Sequence, residues 1–169
     1  MNEEKFFPTE DYTIPQHSNY MKFVEGENTF RVLSSAIVGY EYWNKDNKPM
    51  RSRECPETKP MDIKTEKDGS WKINHFWAFV VWNYEAKKIQ ILELTQKGIM
   101  KAVKAYIDNT KWGNPKEYDF TVTRTGSGLD TEYQTMANPH SELESDIRGQ
   151  YIKTSINLEK LYDGEDPFK

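Results

Sequence analysis

Between residues 40 and 84 the chain interleaves rings with cations. Tyr40, Tyr42, Trp43, Trp71, Phe76, Trp77, Phe79, Trp82 and Tyr84 share this stretch with Lys45, Lys48, Arg51, Arg53, Lys59, Lys64, Lys67 and Lys72. A single nucleic-acid strand offers unstacked bases, which need flat apolar partners, and a phosphate row, which needs mobile cations. Each base stacked on a ring contributes roughly 1–3 kcal/mol whatever its identity. The competing use of the same rings is a core, because aromatics bury large areas. On the strand expected over residues 71–84, rings fall on both faces, so about half of them are expected in the core. Ala78 and Val80 have the size of interior residues, which turns Phe76 inward and Trp77 and Phe79 outward.

Other chemistry is thinner. Thr125-Gly-Ser-Gly-Leu-Asp-Thr131 holds two glycines that could approach a phosphate, but neither G-x-x-x-x-G-K-[ST] nor G-x-G-x-x-G is present. Strands expected on both sides make it a hairpin turn. Glu57-Thr-Lys59 and Asp62-Ile-Lys64 match the short acid-x-Lys pattern of metal-dependent nucleases, yet both lie in an expected loop. His17, His75 and His140 are scattered and Cys55 is the lone thiol, so the spacing of a metal site is missing. No nucleophile motif such as G-x-S-x-G occurs. Non-enzymatic binding, without cofactor or metal, is the expectation.

The elements that must position these residues are mostly strands. Asn28–Ser34 alternates apolar and polar residues at period two, and Ile37–Trp43 continues as a strand in which Gly39 suggests a bend or bulge. Residues 44–70, with Pro49, Pro56, Pro60 and Gly69, form a long loop with at most a short strand near Ile63. Residues 71–84 and 89–94 make a hairpin across the turn at Glu85–Lys88. Thr95 can cap a helix running to about Asn109, and strands follow at 118–124 and 131–136. Strand, strand, long loop, strand, strand, helix, strand, strand suits a mainly β fold. The expected architecture is a five-stranded OB-type Greek-key barrel with one inserted helix at about 95–109 and extended termini. Residues 1–27 read as an extended N-terminal arm, 28–155 as the barrel domain and 156–169 as a short acidic tail, of which residues 163–169 are expected to contribute no core.

At 169 residues and 19.9 kDa the chain fits one domain. Charged residues make up 30% and mean hydropathy is -0.89, yet aromatics reach 14%, which a disordered chain would not carry. One cysteine excludes an intramolecular disulfide framework and makes a reducing compartment the default. No apolar run approaches the ~18 residues that span a bilayer, and Met1–Lys5 lacks the pattern of a signal peptide. A soluble, cytoplasmic protein with no membrane partner is expected. Charge is uneven: residues 1–30 carry a net -4, residues 31–125 a net +5 and residues 126–169 a net -5. A basic middle between acidic ends suits contact with a polyanion, although scatter alone produces asymmetry of this size.

Residues 112–133, WGNPKEYDFTVTRTGSGLDTEY, resemble the single-stranded DNA-binding replication proteins of tailed bacteriophages. Those proteins often carry W-G-x-P-x-x-Y-D followed by R-x-G-x-G-L-x-T-x-Y. FRVLSSAIVGYEYW at 30–43 and HFWAFVVWNYEAKKIQILEL at 75–94 support the resemblance in the expected order, so that it spans roughly residues 23–140. It implies an OB-fold, sequence-tolerant binding of single-stranded DNA, and a role in phage replication, recombination or repair in the host cytoplasm. Some relatives hold zinc in the loop after the first strands; here that loop has only Cys55, so zinc is not carried over. Asp163-Gly-Glu-Asp-Pro-Phe168 is similar to the acidic Pro-Phe tails with which bacterial single-stranded DNA-binding proteins dock replication partners, with Lys169 as a departure. Asp163, Glu165, Asp166, Pro167 and Phe168 are therefore the candidate partner-docking residues.

The candidate nucleic-acid contacts are Tyr42, Trp43, Lys45, Lys48, Arg51, Arg53, Lys72, Trp77, Phe79, Arg124 and Tyr133, with single-stranded DNA as the partner. A protein-interaction OB module without DNA affinity, and a metal-dependent nuclease, are the alternatives.

Overall fold

Strand β4 (Asn74–Asn83) is apolar without interruption from Phe76 to Trp82, and the fold is arranged around covering it. The computed structural model describes residues 6, 7, 9 and 18–169, so most of the expected arm at 1–27 lies outside the described residues. Beside β4 run β1 (Gly26–Val32) and β2 (Ile37–Trp43) on one edge and β5 (Lys88–Leu94) on the other. β3 (Pro49–Ser52) pairs with β2, β6 (Asp119–Thr125) with β1, and β7 (Glu132–Ala137) with β6. All seven strands form one antiparallel sheet, in the order β3-β2-β4-β1-β6-β7 with β5 branching from β4. The protein is mainly β as expected, but the sheet is open: among the described residues β5 and β7 do not pair, so the expected closure into a barrel is not seen.

Two features depart from the expected layout. Residues 49–52, placed by sequence in a featureless loop, zip onto β2 because the tight turn at Lys45–Lys48 returns the chain antiparallel; Asn44 Oδ1 accepts from the Asp46 and Lys48 amides. The first long strand is interrupted by a bulge. Val32 faces Val81 while Ile37 faces Ala78, so five steps of one strand pass three of the other. The excess is even, so inward and outward faces keep their phase across the break. Ser34 Oγ accepts from the Val80 amide at 2.8 Å, satisfying a donor that the bulge would orphan. Gly39, expected at this bend, instead sits in regular register opposite Phe76. A Cβ there would lie 2.4 Å from the Ser52 carbonyl oxygen and 3.2 Å from the Tyr162 ring. Close packing, not a bulge, requires glycine at this position.

Both faces of β4 are buried. Phe79 and Val81 join Phe30, Val32, Leu92, Leu94, Phe120 and Val122 beneath α1 (Lys97–Asp108), which contributes Ile99, Met100 and Val103. The Gln96 side chain, rather than Thr95, caps α1 by accepting from the Ile99 amide at 2.7 Å. On the opposite face Phe76, Ala78, Val80 and Trp82 pack under the C-terminal region. That region holds a helix foreseen as loop, α2 (Ser145–Lys153), and a 3-10 segment, Leu158–Asp163. The expectation of a detached acidic tail is overturned: Leu161 is 3% exposed, Pro167 is buried and Phe168 packs against Tyr20. The Asn157 amide donates to the Pro167 carbonyl and the Glu165 amide to that of Lys160, which closes the segment on itself. Residues 18–23 are likewise part of the fold, through backbone hydrogen bonds between Met21 and Ile91 and between Ile91 and Asn19. Among the described residues no helix is long and apolar enough to cross a membrane.

Because Leu161 fills a closed contact with Phe76, Ala78 and Ile91, Leu161→Ala is expected to cost about 2–5 kcal/mol of stability. Urea unfolding followed by circular dichroism measures it, and an unchanged midpoint would mean that the C-terminal segment is not part of the core.

Candidate nucleic-acid interface

The covering elements leave bare the end of the sheet where β2 turns into β3. Trp43 closes β2 and is 47% exposed; Trp71, just before β4, is 43% exposed. They line a groove of about 680 Å³ with Asn47, Lys64, Ser70, Lys72 and Asn74, and Glu66 is its one carboxylate. The loop that carries these residues is pinned at several points. Ile63 is buried and forms an isolated antiparallel bridge with Asn44; the Lys64 amide donates to the Trp43 carbonyl and the Lys45 amide to that of Asp62. A turn at Glu66–Ser70, in which Gly69 takes a φ of 83°, returns the chain so that Trp71 faces Trp43 across the groove. Lys64 Nζ donates to Asn47 Oδ1 at 2.8 Å.

A second set of rings lies on the face of the sheet that α1 covers further along. Val38 lies opposite Trp77, Tyr40 opposite His75 and Tyr42 opposite Met50. The Tyr40 and His75 rings sit 5.1 Å apart, and Val38 is 51% exposed. Tyr42 donates its hydroxyl proton to Asp62 Oδ1 at 2.8 Å; desolvation and then that carboxylate raise its pKa. Apolar residues in the open, in phase with a core, form a platform rather than scattered exposure.

The structure brings together part of the expected contact set. Tyr42, Trp43, Lys45, Lys48 and Lys72 cluster at the β2–β3 end, whereas Trp77 is half-buried further along the sheet, opposite Val38 near the start of β2. Phe79, expected to face outward, is 4% exposed within the core under α1. The inference failed because it assumed that one face of β4 is free, whereas both are interior. Arg51 does not face outward either. Its Nε donates to Glu41 at 3.1 Å and its Nη2 to Glu93 at 2.7 Å, and its guanidinium lies over the Phe76 ring. Arg53 is exposed but pairs with Glu159 at 2.5 Å and covers the Tyr162 ring at 4.2 Å, fastening the C-terminal segment. Arg124 and Tyr133 lie across the sheet on β6 and β7, where Arg124 donates to the Phe23 carbonyl and Tyr133 packs on the Phe23 ring. Asp163, Glu165 and Asp166 are exposed, but Pro167 and Phe168 are turned into their own fold. Trp71, Lys64, Tyr40 and His75 complete the arrangement and were not singled out as contacts. The glycine turn before Trp71 was the available signal.

Two carboxylates share Arg51. Burial, and then a hydrogen bond to Glu93, raise the Glu41 pKa from the ordinary 4.5 to about 8. Between those values the folded chain holds a proton that the unfolded chain releases. The stabilisation is therefore complete below about 4.5, declines as pH rises, and is gone above about 8. Glu41→Gln, which keeps the hydrogen bond without the titration, is expected to flatten the fall in urea midpoint between pH 5 and 8. An identical pH profile in the variant would show that Glu41 is already ionised.

A scan against protein-family models, a search of curated proteins and a search of solved structures each returned no match to this chain. Among the described residues no group of three or more His, Cys, Asp or Glu is placed to hold a metal ion.

Exposure separates rings that hold the fold from rings that do not. Phe79→Ala is expected to cost about 3–5 kcal/mol of folding stability, whereas Trp43→Ala and Trp71→Ala stay within about 1 kcal/mol, as changes away from the core do. Thermal unfolding of the three variants checks this ordering.

Proposed function

We propose that this protein binds single-stranded DNA without strong sequence preference, on an OB-type scaffold that is only partly closed. The observation that carries the proposal is the groove in which Trp43 and Trp71, both solvent-exposed, stand with Lys64 and Lys72. Two exposed indoles contribute nothing to the core, whereas base stacking needs such surfaces and sequence tolerance follows from the π-face of every base. Lys45 and Lys48, exposed on the β2–β3 turn, add positive charge at this end of the sheet.

The scaffold reading rests on connectivity. The long strand broken into β1 and β2 is shared between β4 and β6, and a helix joins β5 to β6. Greek-key barrels of the OB type, which are partly open, use this path. The resemblance of residues 112–133 to phage single-stranded DNA-binding proteins points the same way, and a role in phage replication, recombination or repair is what that resemblance adds. Docking of partners through an acidic Pro-Phe tail, as in bacterial single-stranded DNA-binding proteins, has weaker support here, since Pro167 is buried.

Electrophoretic mobility shifts with oligo-dT and with duplex of equal length, with and without magnesium, test the proposal. Binding of the single strand is expected to weaken with salt at a log–log slope of about -0.7 per phosphate contacted, hence near -3 if Lys45, Lys48, Lys64 and Lys72 each neutralise one. Trp43→Ala or Trp71→Ala is expected to weaken binding by roughly 1–3 kcal/mol. Preference for duplex, or insensitivity to salt, overturns the reading; metal-dependent shortening of the oligonucleotide would point to a nuclease.

A further inference from the structure

The aromatic platform does not end at Trp77. Behind that indole the β1–β2 bulge stands away from α1 and leaves a small apolar pocket of about 190 Å³. Trp77, Phe79, Val103 and Ile107 wall it, and the segments Ser34–Ala36 and Asn114–Lys116 form its mouth. Sites for whole drug-sized ligands run to ~300–1,000 Å³, so this one has room for a single ring system.

The chemistry of the mouth selects the kind of ring. No carboxylate lines the pocket, and the Lys116 ammonium has no ion-pair partner among the described residues. Asn114 spends its Oδ1 accepting from the Lys116 amide, which leaves its Nδ2 protons unused; the Ser35 hydroxyl is exposed and equally unused. Ser34, by contrast, is fully engaged, donating to the Ser35 carbonyl and accepting from the Val80 amide. Free donors and a cation thus surround an apolar slot with an indole on one wall. A thymine or uracil ring is apolar on its faces, carries two carbonyl acceptors on its edge, and comes attached to a phosphate.

We propose that this pocket holds one pyrimidine base turned out of a bound strand, with Trp77 stacked on its face, Asn114 and Ser35 donating to its carbonyls and Lys116 facing its phosphate. The inference rests on the proposed single-stranded DNA binding, because Val38 opposite Trp77 continues the row from Tyr42 and Tyr40 to the pocket. An apolar side chain of a protein partner would fit the walls equally, but it leaves the donors and Lys116 unanswered.

The full-length chain, labelled with ¹⁵N, is titrated with thymidine 5′-monophosphate, with deoxyribose 5-phosphate, and separately with oligo-dT. The Trp77 indole signal is identified by its loss in Trp77→Phe. The nucleotide is expected to move the Trp77, Ser35 and Ala36 signals, deoxyribose phosphate is expected not to, and Ala36→Phe, which plugs the mouth, abolishes the shifts. Asn114→Ala, at an exposed position, weakens the nucleotide shifts should Ala36→Phe disturb folding. In oligo-dT binding Ala36→Phe is expected to cost about 5- to 100-fold, the worth of one stacked base. Absence of nucleotide shifts at these residues, or equal shifts with the sugar phosphate, overturns the pocket. Oligo-dT that binds while these signals stay still leaves the proposed function standing and refutes the pocket; nucleotide shifts without oligo-dT binding do the reverse.

Discussion

A strand that is apolar on both faces cannot end a protein's surface, and β4 imposes that constraint here. Most of its residues from Phe76 to Asn83 are buried. Leaving either face to water would expose several large side chains, each worth roughly 1.5–3 kcal/mol when buried. One face is met by α1, whose Ile99, Met100 and Val103 recur on a single side as a helix allows. The other has no inserted helix available, so the chain after β7 crosses back over the sheet and supplies Ile147, Leu158, Leu161 and Phe168. The acidic C-terminal segment is therefore folded for the sake of its few apolar residues, and its carboxylates simply point outward.

Charges buried along this seam are consistent with that arrangement. Arg31 is 1% exposed, yet each of its three guanidinium nitrogens has a partner: Asp119 at 2.6 Å, the Lys116 and Ser141 carbonyls, and the Ser141 hydroxyl. A buried cation is tolerated only with partners for its donors; here Asp119 and Lys116 belong to β6 and the turn before it, while Ser141 lies in the segment that leaves β7 and enters α2. The same guanidinium thereby fixes the direction in which the covering chain departs. Arg51 plays a similar part at the other end, except that two carboxylates face it, and burial together with the neighbouring Glu93 raises the pKa of Glu41.

These features explain which parts were legible in the sequence. Period-two alternation located β1 and β6 to within a few residues, because their apolar side chains fall on one face, and β2 and β7 were placed as strands beside them. The same rule misplaced Phe79, since alternation carries no information where both faces are dry. β3 was invisible because Pro49-Met-Arg-Ser52 has no alternation, and it pairs only because Asn44 and Asn47 make the turn before it. The C-terminal cover was missed for a related reason. Its apolar residues are spaced among charges with no helical period, and they make sense only against a sheet face the sequence does not display. In the candidate site, the pairing of Trp43 with cations was readable from spacing. Its juxtaposition with Trp71, 28 positions along the chain, depended on the Lys64–Trp43 hydrogen bond and the Gly69 turn, which are tertiary facts.

The ring-rich, aliphatic-poor composition follows from the same geometry. A single open sheet with covers on both sides has thin cores, and a thin core is filled most effectively by flat side chains that bury 150–250 Å² each. Phe30, Phe76, Phe120, Tyr118 and Trp82 do so. Packing therefore accounts for most of the rings, and an excess of aromatics is not by itself a sign of ligand binding. The discriminating feature is narrower. At the β2–β3 end the loop is held by backbone hydrogen bonds and by Ile63, none of which needs an indole. Trp43 and Trp71 still stand there in the open beside two lysines. Neither indole joins a buried cluster, and theirs is the surface on which the proposed binding of single-stranded DNA rests.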